Sequence, residues 1–413
     1  MKLSISGGMR GTIQAQPSKS MAHRAVICGA LAEGTSRIEN IAFSEDILAT
    51  IRCVEALGLA EVTRGEASLT IRGKGKQRRE AVLLDCVESG STLRFLIPLA
   101  ACLAERVRLS GKGRLMERPL EPLKSLLAQR GLTWQGNDRF TGTIQAGEYP
   151  IQGDVSSQFI SGLLFALPLL EGDSKIILTT ALESAGYVEL TRRSQERFGV
   201  KSRWEDGTLY IEGNQCYQPA DYEVEGDFSH AAFFAVAGAI GEGVTITGLD
   251  MDSPHGDKAV FSILEQMGAT VEIQGNRVSV KGGQLSGCVI DGSQIPDLVP
   301  VLAVAGAYAK GETRIVNAGR LRIKESDRLA AMAEELGRLG ARIQETEDGL
   351  MIQGGRPLRG AAVSSHNDHR IAMSLAVAAG FATGALELEG AECVKKSAPQ
   401  FWEEFRALGG SAQ

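Results

Sequence analysis

The sequence has no surplus of positive charge. Its 44 lysines and arginines face 50 aspartates and glutamates, for a net charge of -6 and a pI near 5.6. A nucleic-acid binder ordinarily carries a basic face, so no nucleic-acid partner is expected. An anionic small molecule remains open if cations gather locally. The seven cysteines, Cys28, Cys53, Cys86, Cys102, Cys216, Cys288 and Cys393, are odd in number and scattered. No pair has the spacing of a metal knuckle, which reads as a reduced chain with buried thiols. No apolar run approaches the roughly 20 residues that cross a bilayer. The opening Met1–Gly8 lacks the apolar core of a secretory signal, so a soluble, cytoplasmic protein with no membrane partner is expected. A nucleotide loop is missing too. Gly73-Lys74-Gly75-Lys76 and Gly111-Lys112-Gly113-Arg114 lack the required spacing and hydroxyl, and read as solvated turns.

What the chain does have is repetition. An apolar, helix-like run ends at a turn position and a strand follows, with the turn at Gly34, Arg106, Gly172, Gly243, Gly311 and Gly384. A second, amphipathic helix ends at Gly58, Gly131, Gly199, Gly268, Gly340 and Gly409. Both markers recur at about 70 residues, and a fixed period of this kind fixes architecture. The fourth unit shows the plan: an apolar helix over Ser229–Ala239, a strand over Val244–Thr247, an amphipathic helix over Asp257–Met267, then a hairpin around Gln274-Gly275-Asn276. Six such units predict two α/β domains of three units each. One domain is assigned residues 17–225. The other is assigned 1–16 plus 226–413, with the N-terminal strands returning to complete it.

The starts of the apolar helices are polar: Ser20, Thr92, Gln158, Ser229, Asp297 and Arg370. The second helices are expected to begin near Glu45, Arg118, Tyr187, Asp257, Glu325 and Ala398. A helix N-terminus carries partial positive charge and free N–H donors, so it suits an anion. Cations normally avoid that position. Yet Lys19, Arg24, Arg94, Arg118, Lys324, Arg328, Arg370 and Lys396 lie before helix starts or in first turns. Taken singly each reads as a surface charge with a local partner. Gathered at one end of the helices in an acidic protein, they point to a multiply charged anionic ligand, which arginine holds bidentately. His366 and His369 are three apart but have no evident third ligand, so no metal is assigned. His369 reads as a residue that orients its neighbours.

Several runs together resemble a known family. They are Pro17-Ser18-Lys19-Ser20 with Arg24, Glu88-Ser89-Gly90-Ser91-Thr92-Leu93-Arg94, Glu117-Arg118-Pro119, Val155-Ser156-Ser157-Gln158-Phe159, Ile295-Pro296-Asp297, Lys324-Glu325-Ser326-Asp327-Arg328 and Asn367-Asp368-His369-Arg370, followed by Lys396. In this order they resemble the 5-enolpyruvylshikimate-3-phosphate synthases, the 3-phosphoshikimate 1-carboxyvinyltransferases of chorismate biosynthesis. The resemblance implies a two-domain inverse α/β barrel of six βαβαββ repeats with its active site in the interdomain cleft. It implies transfer of enolpyruvyl from phosphoenolpyruvate to the 5-hydroxyl of 3-phosphoshikimate, with no metal or organic cofactor, by a monomer. By similarity, Lys19, Ser20, Arg24, Ser156, Ser157, Gln158, Ser184, Asp297 and Lys324 hold 3-phosphoshikimate, with Tyr187 beside its ring. Lys19, Gly90, Arg118, Gln158, Arg328, Arg370 and Lys396 hold phosphoenolpyruvate. Asp297, Glu325 and Lys19 are the proton-handling candidates. Three positions depart from the family pattern: Glu88, Arg320 and His230. Two other readings stand beside this one. The related transferase acting on UDP-N-acetylglucosamine uses a loop cysteine in its first domain, and no cysteine lies between Cys102 and Cys216. A non-catalytic anion binder would need neither Asp297 nor Glu325.

Overall fold

Helices that are apolar on every side can be stable only where every side is covered. The computed structural model, which describes residues 1–413, buries them in that way. Twelve α-helices are present: α1 Lys19–Leu31, α2 Glu45–Ala56, α3 Gly90–Leu103, α4 Leu123–Gln129, α5 Ser157–Ala166, α6 Ala185–Arg197, α7 Phe228–Ile240, α8 Val260–Met267, α9 Val299–Tyr308, α10 Arg328–Arg338, α11 His369–Ala379 and α12 Phe401–Ala407. In α7 every residue from Phe228 to Ala239 is buried, and α9 is buried from Val299 to Ala307. The even-numbered helices are shorter on average and show one wet face, as in α10, where Leu329, Met332 and Leu336 point inward.

Each pair of helices belongs to one four-stranded sheet, and six sheets share one plan. In the third, Glu148–Ile151 runs parallel to Ser174–Leu178, which pairs antiparallel with Thr208–Ile211, itself antiparallel to Arg203–Glu205. The parallel pair needs a crossover, and α5 supplies it. Three sheets borrow a strand from afar. Asp221–Glu223 joins Glu33–Glu39 in the first. Gly11–Gln14 joins Val244–Thr247 in the fourth. Lys2–Ser6 lies between Leu386–Glu389 and Ser411–Ala412 in the sixth.

The chain divides into two compact units, Pro17–Val224 and Met1–Gln16 with Glu225–Gln413, hereafter the first and second units. Each has its own apolar core. The sequence boundary had assigned Glu225 to the first unit. Its carboxylate accepts from Ser253 Oγ at 2.6 Å, which ties it to the second.

The glycines that end the second helices have a shared cause. Gly58, Gly131, Gly199, Gly268, Gly340 and Gly409 all have positive φ, from 71° to 115°, the left-handed turn that closes a helix and that side chains resist. The first marker is less uniform. Gly34 lies inside Glu33–Glu39 and Arg106 inside Ala104–Ser110, because there the strand follows the helix without a turn. Gly73-Lys74, read as a turn, ends the strand Ser68–Lys74.

Helix starts also move. Ser20, Gln158, Ser229 and Arg370 are second residues and Thr92 a third. Asp297 lies outside α9, whose first turn holds Pro300. The second helices begin late where proline intervenes: after Arg118 come Pro119 and Pro122, so α4 starts at Leu123. Likewise α12 starts at Phe401, after Pro399, whereas α10 starts at Arg328 behind its cap Asp327, and Gly256–Ala259 forms a 3-10 turn ahead of α8. Arg24 and Arg94 fall in second turns, not first ones.

Candidate active site

In the first unit, side-chain caps open the apolar helices. Ser18 accepts from Met21 N, Ser89 from Thr92 N and Ser156 from Gln158 N. Each leaves other first-turn N–H groups open to an anion. Lys19, the first residue of α1, pairs with Asp46 Oδ2 at 2.7 Å. Arg24 is buried and lies over Phe95. It donates to the carbonyls of Ser20 at 2.6 Å and Tyr187 at 2.7 Å, and to Thr191 Oγ1 at 2.9 Å. Ser20 and Tyr187 are therefore joined through one guanidinium. Ser184 precedes α6 with φ of 54°, a left-handed conformation rare for serine, and is buried.

A second group forms around Gln158. Its Oε1 accepts from Arg94 at 2.9 Å and its Nε2 donates to Ser91 Oγ at 3.0 Å. Ser91 follows Gly90, the first residue of α3. A Cβ on Gly90 would stand 2.6 Å from Arg118 Nη1, so the guanidinium of Arg118 rests against bare backbone there. Thus Ser156, Ser157, Gln158, Gly90 and Arg118 come together with Arg94.

The second unit is organised around Arg328, which is 2% exposed. It donates to Asp297 at 2.9 Å, to Glu325 at 2.9 Å and to Asp368 at 2.8 Å. Arg370 donates to the other Asp297 oxygen at 3.1 Å and to the Ser229 carbonyl at 3.0 Å. Ser229 Oγ in turn donates to the buried Asp257 at 2.5 Å. Lys396 donates to the Asn367 carbonyl at 2.6 Å. His369 Nδ1 lies 3.8 Å from Asp368 Oδ1.

These neighbours set the charges. Burial raises the pKa of Asp297, but Arg370, Arg328 and Lys324 outweigh it and hold the carboxyl well below its usual range. Burial, with Arg320 and Arg328 adding to it, lowers the Lys324 ammonium to about 7, against the opposing pull of Asp297 and Glu325. Burial also opposes the charge on Arg328, which Asp368, Glu325 and Asp297 restore. The cluster therefore couples a fixed carboxylate to an amine that can exchange a proton near neutral pH. Lys19 belongs to the first unit, where it forms an ion pair with Asp46.

Sequence reasoning missed Asp46 and Asp368 as partners of the cations. Asp46 adjoins the expected helix start at Glu45. Asp368 stands inside a quoted motif, where it caps α11. Only the fold shows that they hold Lys19 and Arg328. Glu334 and Glu335 lie beside His366, with its Nε2 2.7 Å from Glu335 Oε1. Arg338 already flanks both carboxylates. Arg320 donates to the Ser293 carbonyl. His230, set against Phe234 and Phe401, has its Nε2 3.0 Å from Glu404 and links α7 to α12.

Comparison with known proteins gives one answer. The family profile for EPSP synthase (3-phosphoshikimate 1-carboxyvinyltransferase) matches residues 3–405. A 3-phosphoshikimate 1-carboxyvinyltransferase of Clostridium kluyveri is 47% identical over 97% of this chain and 96% of its own. The solved EPSP synthase of Acinetobacter baumannii superposes with a TM-score of 0.82 at 27% identity, covering 100% of this chain and 99% of that one. An enolpyruvyl transferase of Streptomyces tendae shares the fold at 19% identity, with a TM-score of 0.81 over 100% of this chain and 98% of that one. The chain belongs to the EPSP synthase family.

Proposed function

We propose that this protein is a 3-phosphoshikimate 1-carboxyvinyltransferase. It moves the enolpyruvyl group of phosphoenolpyruvate to the 5-hydroxyl of 3-phosphoshikimate and releases phosphate, in the cytoplasm, as a monomer and without a metal or organic cofactor. Lys19, Ser20, Arg24, Ser156, Ser157, Gln158 and Ser184 hold 3-phosphoshikimate from the first unit, and Asp297 and Lys324 hold it from the second. Gly90, Arg118 and Gln158, with Lys19, hold phosphoenolpyruvate from the first unit, and Arg328, Arg370 and Lys396 from the second.

The observation that carries this reading is the pairing of Asp297 and Glu325 on one buried arginine. Binding two anions needs no carboxylates. Moving two protons does. In the proposed sequence Glu325 protonates the methylene carbon of phosphoenolpyruvate as the 5-oxygen attacks the adjacent carbon. The hydroxyl proton passes to Asp297, whose low pKa favours onward transfer to the Lys324 amine. The resulting tetrahedral ketal then loses phosphate, which carries off the hydroxyl proton held at Lys324, and Glu325 recovers a proton from the methyl group. The cationic set and the helix N-termini stabilise the charge that develops on the phosphate.

The test is release of inorganic phosphate with both substrates present, with identification of the enol ether product. Release should need both substrates. Release with UDP-N-acetylglucosamine in place of 3-phosphoshikimate would assign the related transferase. Tight binding of both anions without release would leave an anion-binding protein.

A further inference from the structure

Behind the substrate groups of the first unit runs a chain of fully buried polar side chains that the reaction does not use. His23, on the second turn of α1, has its Nδ1 2.7 Å from Thr50 Oγ1 on α2. Thr50 Oγ1 is 2.7 Å from Thr92 Oγ1 on α3. Thr92 Oγ1 donates to Ser89 Oγ at 2.7 Å. All four residues have no exposed surface. The only other acceptor near the two threonine hydroxyls is the Asp46 carbonyl, 3.4 Å from each, which is the weaker choice.

The chain has a direction. Thr92 spends its single hydroxyl proton on Ser89, so Thr50 must donate to Thr92. Thr50 then has no proton left, so His23 must donate from Nδ1. Its Nε2 has no partner. A proton there would be a buried donor with nothing to satisfy it, which costs more than a bare lone pair in an apolar setting. His23 is therefore neutral, with its proton on Nδ1. Burial, then the charges of Lys19 and Arg24, press the same way, holding its pKa well below the usual histidine value.

The far end of the chain matters most. Ser89 caps α3 and immediately precedes Gly90, on which Arg118 rests. The near end is one residue from Arg24, and Lys19 opens the same helix. We propose that His23 is a positioning residue: through Thr50 and Thr92 it fixes the Ser89–Gly90 turn, the backbone wall of the phosphoenolpyruvate site, relative to the helix that carries Lys19 and Arg24. The proposal rests on the functional reading above for the identity of that wall. The relay itself does not depend on it.

Two measurements test it. Thr50→Val keeps the shape and removes the hydroxyl, while Thr50→Ser keeps the hydroxyl. Thr50→Val should raise the KM for phosphoenolpyruvate roughly three- to tenfold, the scale of one neutral hydrogen bond, and leave the Kd of 3-phosphoshikimate alone within about twofold. Thr50→Ser should restore the lost affinity. An equal loss of both substrates, an unchanged phosphoenolpyruvate KM, or failure of serine to restore it would overturn the proposal. Nitrogen-15 NMR of histidine-labelled wild-type protein reads the tautomer directly and needs no activity. An Nδ1–H imidazole is expected for His23, and an Nε2–H imidazole or an imidazolium would remove the relay. Wild-type protein that binds ligands but never turns over would instead sink the functional reading.

Discussion

The two units hold their buried arginines in different company. In the first, Arg24 and Arg94 donate to carbonyls, a hydroxyl and a side-chain amide, all neutral acceptors. In the second, Arg328 and Arg370 face carboxylates. A cation set among neutral acceptors keeps its charge for a ligand. One set among carboxylates has much of its field already answered, but it holds acid groups in register. On the function proposed above, the first unit's buried arginines are set to meet a phosphate and the second unit's carboxylates to handle protons.

Breaking the second unit at its centre should have the largest effect. Arg328→Met leaves the buried Asp368 and the half-buried Asp297 and Glu325 as carboxylates without their shared partner. Stability should fall by about 3–5 kcal/mol, the usual cost of removing one side of a buried pair. Turnover should fall about a thousandfold, as when a preorganised charge is lost. Denaturant unfolding and phosphate release measure both, and a variant of near-normal stability would show that the three carboxylates find other partners.

Asp297→Asn is gentler, since the amide oxygen still accepts from one of the two arginines, although its NH2 then faces the other. It should cut kcat about a hundredfold, within the range for a lost proton-transfer group, and leave calorimetric binding of 3-phosphoshikimate largely intact. Near-normal turnover would remove Asp297 as the acceptor of the hydroxyl proton.

Gly90→Ala perturbs the first unit instead. The added methyl would stand 2.6 Å from Arg118 Nη1, so that guanidinium must shift. The KM for phosphoenolpyruvate should rise several-fold, within the cost of a weakened charged hydrogen bond. The inhibition constant of glyphosate, a longer and less adaptable ligand, should rise by a larger factor, and the 3-phosphoshikimate constant should barely move. Equal shifts for substrate and inhibitor would place Gly90 away from the phosphate.

The smallest effect is spectroscopic. With the Lys324 ammonium lowered to about 7, one resonance of carbon-13-methylated lysines should titrate near neutrality and vanish in Lys324→Met. The sign for stability follows from proton counts. Between about 7 and the unfolded value of 10.5, the native state holds fewer protons than the unfolded one, so stability from this group increases with pH across that window. Below about 7 both states are charged, and the slope disappears.

The repeat was legible because its signals are local. A left-handed helix end demands glycine at Gly58, Gly268 or Gly409 whatever surrounds it, and an all-apolar run such as Phe228–Ala239 demands burial. Helix starts were legible only to within a few residues. Pro119, Pro122 and Pro300 displaced them, and sequence periodicity does not register how a proline is accommodated. The cations of the candidate site stood out because they defy the helix dipole. Their partners did not. Asp46 and Asp368 obey every local rule as acids at helix starts, so nothing marked them until the fold brought Lys19 and Arg328 to them. Thr50 and Thr92 were quieter still, since a buried threonine looks the same in sequence whether it pairs with a carbonyl or passes on a proton.

The borrowed strands carry a consequence for how the molecule is made. Every strand partner of the first unit lies between Glu33 and Glu223. That unit can finish as soon as its own residues have left the ribosome. Lys2–Ser6 and Gly11–Gln14 are translated before any of it, yet they pair with Leu386–Glu389 and Val244–Thr247. The leading segment must wait, unpaired, while an entire unit folds behind it. A nascent chain stalled far enough beyond residue 224 for Asp221–Glu223 to have emerged should therefore yield a protease-resistant fragment beginning near Pro17, its leading segment digested. In the finished protein, residues synthesised ahead of an entire unit find their place only after it.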